Sequence, residues 1–233
     1  MVAHKLLMNI CFRGAYMPNI KCVIFDMDGT MCDTLPLAAE CFMVAIEKVS
    51  GKKVLREDIE KTYGANEIGT LITFLGEENS SVAHKAYLDH YAKRHGDKPF
   101  DKPFDGIIEI INYLKGKGVK LYIVTSRAVE SAVLTLDFYN LSDKFDGVYT
   151  GENFVNVKEK NIKEIVKSNG FNPNEVYYVG DTAGDVRESK KAGIKTISAL
   201  WSPSCFSENV LKENPDHAFY SVSQCLNFFK ENV

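Results

Sequence analysis

The strongest constraint on how this chain can fold is an alternation. Short apolar runs rich in β-branched and aromatic residues lie at 20–26 (IKCVIFD), 119–125 (VKLYIVT), 176–181 (VYYVGD) and 195–200 (KTISAL). Each is bounded by glycine or polar residues, the pattern of strands buried on both faces of a parallel sheet. Helical periodicities lie between them. Ile107, Ile108, Ile111 and Leu114 recur at helical spacing until Gly116 and Gly118 stop them. Ile162, Ile165 and Val166 mark a second helix ending near Gly170, and Val186–Ala192 a third closed by Gly193. Strands alternating with helices predict an α/β fold, a three-layer domain around a parallel sheet.

One stretch breaks the alternation. Residues 36–104 hold helical patterns, such as Ala38–Val49 and Val82–Arg94, and no strand pattern. The simplest account is an all-helical insertion after the first strand, with 20–35 and 105–233 forming the core. The insertion ends in a tandem Asp97-Lys98-Pro99-Phe100 and Asp101-Lys102-Pro103-Phe104. Its prolines disfavour regular structure and mark a return linker. Residues 1–19 read as a frayed extension, or as sequence ahead of a start at Met17. Lys5 and the apolar residues after it have an export-signal cast, but Asn9 and Arg13 interrupt them and no small-residue cleavage site follows.

Composition narrows the partners. A formal net charge of −3, with no basic stripe interleaved with aromatics, gives no support to nucleic-acid or anionic-membrane binding. No apolar stretch approaches the about 18 residues of a membrane span. The six cysteines form no C-x-x-C pair, which argues against a zinc ribbon or redox motif and for a reduced, cytoplasmic protein.

Chemistry concentrates where the apolar runs end. Asp26-Met27-Asp28-Gly29-Thr30 follows the first strand, and Gly180-Asp181-Thr182-Ala183-Gly184-Asp185 follows a later one. Either alone could be a turn or a helix cap. Two strands that both end in paired carboxylates are costly through like-charge repulsion unless a cation sits among them. Mg²⁺ fits, because it takes hard oxygen ligands and keeps waters that a phosphate can displace. A third strand ends in Thr125-Ser126-Arg127, whose hydroxyls and backbone N–H groups suit phosphate. Lys158 and Lys160 precede the next strand, and either could place an ammonium over a phosphate.

In these residues the sequence resembles the haloacid dehalogenase-like hydrolases, from residue 20 onward. Phosphatase members carry D-x-D-G-T, a strand ending in Thr or Ser, a Lys, and G-D-x-x-x-D. Here these stand in the same order as Asp26/Asp28, Thr125, Lys158 and Asp181/Asp185. The family's common K-P pair is missing, and VNVKEKNIKEIV offers two lysines; spacing to Asp181 favours Lys158 over Lys160.

The resemblance implies a Rossmann-like core with a small helical cap, as in the phosphoglycolate phosphatase and β-phosphoglucomutase branch. It also implies a Mg²⁺-dependent phosphatase acting on a small phosphorylated metabolite, as a monomer or homodimer. Asp26 is then the nucleophile that forms an aspartyl-phosphate, and Asp28 the acid/base, with a pKa expected to be raised by neighbouring carboxylates and cap closure. Asp26, the backbone carbonyl of Asp28, Asp181 and Asp185 form the metal set, and Gly29, Thr125, Ser126 and Lys158 hold phosphate. Tyr63, Gly64, Ala65 and Asn66 form a break between cap helices that either faces the site or is an ordinary turn.

Within the family, Asp28 argues against dehalogenases, which lack the second Asp, and against the D-x-A-G-T phosphonoacetaldehyde hydrolases. A sugar-phosphate mutase remains an alternative, although such enzymes commonly have Val where this chain has Thr30, and a pyrophosphatase is another. A signalling receiver would carry its acidic pair before the phosphorylated Asp and would lack the insertion. A catalytically silent binding protein is disfavoured by retention of every acidic position.

Overall fold

The computed structural model describes residues 20–233; the N-terminal extension and the export-signal question fall outside them. Six strands run in chain order as β1 (Cys22–Phe25), β2 (Lys120–Val124), β3 (Gly147–Tyr149), β4 (Val176–Gly180), β5 (Lys195–Ala199) and β6 (His217–Phe219). They form one parallel sheet in the order β3-β2-β1-β4-β5-β6. The chain therefore builds outward from β1 to one edge, returns to its centre, and builds outward to the other. The reversal falls between β1 and β4, and in open α/β sheets ligands bind beyond the strand ends at such a switch point.

The core helices are α5 (Ile107–Gly116), α6 (Val129–Phe138), α7 (Lys158–Asn169), α8 (Ala183–Ala192), α9 (Ser207–Lys212) and α10 (Val222–Asn232). Strand residues alternate between the two faces of the sheet. Val23 and Phe25 of β1 face α5 and α10, packing with Ile107, Ile111 and Phe229. Cys22 and Ile24 face the other way and pack with Ile162 and Ile165 of α7. This is the expected three-layer arrangement around a parallel sheet. Two strands had no readable signal: β3 and β6 are three residues each, at the sheet edges, and only half-buried or exposed.

Between β1 and α5 the chain is helical: α1 (Leu35–Ser50), α2 (Arg56–Glu60), α3 (Glu67–Leu75) and α4 (Glu77–Arg94). These helices have an apolar centre of their own, including Leu37, Phe42, Leu71, Tyr87 and Tyr91. The tandem unit divides its two aromatics. Phe100 packs into the helical centre, whereas Phe104 packs against the sheet and donates its N–H to the Met31 carbonyl at 2.9 Å. Five cysteines among the described residues (22, 32, 41, 205 and 225) are free thiols. No described helix is long and apolar enough to cross a membrane.

His95, just after α4, is fully buried among Tyr91, Phe138 and Tyr139, and neither ring nitrogen has a hydrogen-bond partner. Burial pushes its pKa down to about 4, assisted by the nearby Arg127 charge.

Two expectations follow. Ile107 is fully buried and its neighbour Ile108 is 45% exposed, so Ile107→Ala should cost about 3 kcal/mol and Ile108→Ala about 0.5 kcal/mol in urea unfolding. The second concerns acid. With a folded pKa below the unfolded one, the neutral His95 contributes stability that is complete above about pH 6.5 and is lost as pH falls toward 4. A His95→Leu chain should therefore gain about 3 kcal/mol on the wild type between pH 6.5 and 4, read as the pH dependence of their stability difference. A difference that does not change with pH would contradict it.

Candidate active site

Asp26 continues β1, its N–H bonded to the Val179 carbonyl of β4 at 2.9 Å. The backbone then turns through Gly29, whose φ is +73°, and a Cβ there would lie 2.1 Å from Asp181 Oδ2. Only glycine permits both that conformation and that approach. Gly180 ends β4 without a positive φ, but a Cβ there would meet Asp185 at 2.6 Å. Gly29 thus lets the two acidic strand ends close on one another, and Gly180 lets Asp185 fold back over the end of β4.

Asp185 is not a helix N-cap. Thr182 caps α8, accepting the Asp185 N–H at 3.1 Å, while Asp185 Oδ2 accepts the Thr182 N–H at 3.0 Å, a capping box. The other Asp185 oxygen accepts from Lys158 Nζ at 2.6 Å, and Lys158 Nζ also donates to Asp26 Oδ1 at 3.0 Å. Tyr178 hydroxyl, which donates to the Val124 carbonyl at 2.9 Å, lies 3.2 Å from Asp185 Oδ1. Asp181 accepts from Thr30 Oγ1 at 3.2 Å. Of the two candidate lysines, Lys158 is buried in this cluster, whereas Lys160 is an exposed surface residue paired with Glu152 at 3.3 Å.

Asp26, Asp181 and Asp185 each bring a carboxylate oxygen within 4.8 Å of the others, all three buried. One ammonium cannot balance three ionised carboxylates. Burial, despite Lys158, pushes the Asp26 pKa up to about 7 and that of Asp181 well above the usual range. Burial acts the same way on Asp185, but Lys158 outweighs it and holds that carboxyl low. Hard oxygen donors with uncompensated charge, buried at a strand switch point, fit a small divalent cation such as Mg²⁺.

Asp28 departs from expectation. Its side chain turns away from the cluster to Arg127, which donates Nε to Oδ2 at 2.7 Å and Nη2 to Oδ1 at 2.6 Å, with Thr34 Oγ1 adding 2.5 Å to Oδ1. Burial tends to raise its pKa, but Arg127 and Thr34 outweigh burial and hold it below the ordinary carboxylate value. The expected rise falls on Asp26 instead, where burial dominates, while at Asp28 the Arg127 fork outweighs it.

Thr125 follows directly on β2 and its hydroxyl accepts the Arg127 N–H at 3.3 Å; Ser126 lines the central cavity. That cavity, about 410 Å³, is walled by Asp26, Asp28, Ser126 and Lys158 from the core and by Phe42 and Tyr87 from the helical segment. Tyr63, Gly64 and Ala65 also line it, so the break between α2 and α3 faces the site. Asn66 instead caps α3, accepting the Gly69 N–H at 2.9 Å.

Sequence reasoning missed Glu67. Buried at the start of α3, it accepts the Ala128 N–H at 2.5 Å and the Ser131 hydroxyl, both at the N-terminus of α6. Ala128 has no polar side chain to cap α6, so an anion from the helical segment does so. An uncapped helix beginning directly after a candidate phosphate loop was the available signal.

This geometry has relatives. A family model described as haloacid dehalogenase-like hydrolase matches residues 23–199. A Caldanaerobacter subterraneus protein carrying the PpaX pyrophosphatase name is 30% identical over 217 residues, covering 91% of this chain and 96% of its own. A phosphoglycolate phosphatase of Aquifex aeolicus is 27% identical over 186 residues, covering 78% and 85%. Among solved structures, one described as a predicted phosphoglycolate phosphatase from Haemophilus somnus superposes with a TM-score of 0.76 at 18% identity, over 91% of this chain and 99% of that one; it supports the fold. The chain belongs to the haloacid dehalogenase-like hydrolase family.

The ion cluster makes a prediction of its own. Without divalent metal, Lys158→Met strands three buried carboxylates and should cost about 3 kcal/mol or more, whereas Lys160→Met should stay within about 0.5 kcal/mol. Urea unfolding in EDTA checks it, and equal losses would contradict the assignment of Lys158.

Proposed function

We propose that the protein is a magnesium-dependent phosphatase that hydrolyses a small phosphate monoester through an aspartyl-phosphate on Asp26. The observation that carries this reading is the convergence of Asp26, Asp181, Asp185 and Lys158 on one buried point at the sheet's switch point.

Phosphate monoesters hydrolyse so slowly unaided that enzymes reach accelerations of up to roughly 10²¹-fold. An anionic nucleophile is repelled by a phosphate dianion, so charge must be balanced first. Asp26, the Asp28 backbone carbonyl, Asp181 and Asp185 would hold Mg²⁺, which would supply that balance. Lys158 and the N–H donors around Gly29, Thr125 and Ser126 take the remaining phosphate oxygens. Asp26 then attacks phosphorus in line.

Asp28 protonates the departing alkoxide and afterwards deprotonates the attacking water. Its ionised resting form is the one the second step requires. For the first step, a dianionic phosphate arriving beside Asp28 disfavours its charge and draws a proton to it.

Residues 36–104 act as a cap. Their side chains close one wall of the cavity, whose volume of about 410 Å³ is in the range of small-molecule sites. The free thiols of the described residues fit a reduced, cytoplasmic protein. The names of the relatives put 2-phosphoglycolate and pyrophosphate first in a substrate panel.

Release of phosphate from p-nitrophenyl phosphate should require Mg²⁺, stop in EDTA, and fall at least about 10³-fold in Asp26→Asn, a loss of about 4 kcal/mol of transition-state stabilisation. Persistence of activity in EDTA or in Asp26→Asn would overturn the mechanism. Isomerisation of a sugar phosphate with little free phosphate would show a mutase instead.

A further inference from the structure

Arg127 has no part in the chemistry proposed above, yet its guanidinium is almost completely engaged. It is 5% exposed. Two of its nitrogens form the fork on Asp28, and the third, Nη1, donates to Tyr91 hydroxyl at 2.7 Å and to Thr135 Oγ1 at 3.0 Å. The Tyr91 ring lies against the guanidinium, 4.9 Å from its centre. Thr135 belongs to α6 of the core, but Tyr91 belongs to α4 of the helical segment.

Asp28 sits between two cationic attractions. On one side are Lys158 and, when bound, a divalent ion; on the other is Arg127. Lys158 bonds Asp26 and Asp185 but makes no hydrogen bond to Asp28. A carboxylate drawn into that cluster would become one more ligand there and could not reach a leaving group. A planar fork that takes both Asp28 oxygens at once prevents this, and a lysine's point charge would not fix the carboxylate plane.

We propose that Arg127 is a positioning residue that keeps Asp28 on the leaving-group side of the phosphate. Tyr91 aims the guanidinium, so the seating of the cap on the core sets the aim of Asp28. This rests on the reading of Asp28 as acid/base.

The test compares kcat/KM for p-nitrophenyl phosphate, whose leaving group departs without a proton, with that for ethyl phosphate, whose leaving group needs one. Because kcat/KM reports steps through leaving-group departure, the ratio isolates the acid function of Asp28. In Arg127→Lys the ratio of the nitrophenyl to the ethyl value should rise at least about 30-fold, and in Tyr91→Phe about 3- to 10-fold. The inhibition constant of inorganic phosphate should stay within about threefold, since phosphate is held elsewhere.

Equal losses on both substrates in an active enzyme would overturn the positioning role alone. A wild type inactive on both would overturn the phosphatase reading, and this inference with it. If Arg127→Lys does not fold, Tyr91→Phe, which deletes one hydroxyl and leaves the fork intact, decides by its own ratio: a rise supports the linkage and an unchanged ratio overturns it.

Discussion

The site depends on a single ammonium placed among carboxylates. Lys158 Nζ reaches Asp26 of the β1 end at 3.0 Å and Asp185 in the first turn of α8 at 2.6 Å, so it ties the two halves of the sheet together where the chain reverses direction. Without that charge the two glycine-enabled turns would press acidic groups together with nothing to oppose their repulsion. With it, the repulsion is reduced but not cancelled. The residual excess is what makes the point attractive to a divalent cation, so the arrangement is held short of neutrality. A buried cluster that balanced its own charge would have little affinity for a metal, because binding would then add charge rather than remove it.

A second set of charges does different work. Arg127 with Tyr91, and Glu67 with the start of α6, join the core and the helical segment through buried polar contacts. Ordinary apolar packing would hold such a segment in one place. Buried polar contacts, costly to leave unpaired, fix its orientation against the cavity as well. The position of the segment and the state of the site are therefore linked by the same few side chains.

How much of this was legible follows from where each signal resides. The acidic motifs were readable because each lies directly after an apolar run, and strand ends at a switch point need no side-chain detail to be placed together. The helices between β1 and α5 were readable from the loss of strand patterns there. The choice of Lys158 over Lys160 rested on spacing alone; burial of one and exposure of the other distinguishes them physically. Arg127 was invisible as a partner of Asp28, because they stand 99 positions apart and an arginine after a hydroxyl pair reads as surface charge. Glu67 was hidden in the same way. The edge strands β3 and β6 escaped because three half-exposed residues carry no periodicity.

The two aspartates of the first motif illustrate what spacing cannot convey. Asp26, buried, and Asp28, half-buried, are separated by one residue, yet their proton affinities are driven in opposite directions. Burial dominates at Asp26, whose ammonium is shared with Asp185, so its pKa rises to about 7. At Asp28 an unshared guanidinium fork and a threonine hydroxyl outweigh the same penalty and hold the pKa low. The difference lies in the partners: a shared point charge for one carboxylate and a dedicated planar fork for the other. A metal entering the cluster would relieve Asp26 while leaving the Asp28 fork in place, so the two carboxylates can be tuned independently although the chain makes them near neighbours. Pairs of titratable groups pushed apart by their surroundings are how a single site assigns different tasks to identical side chains.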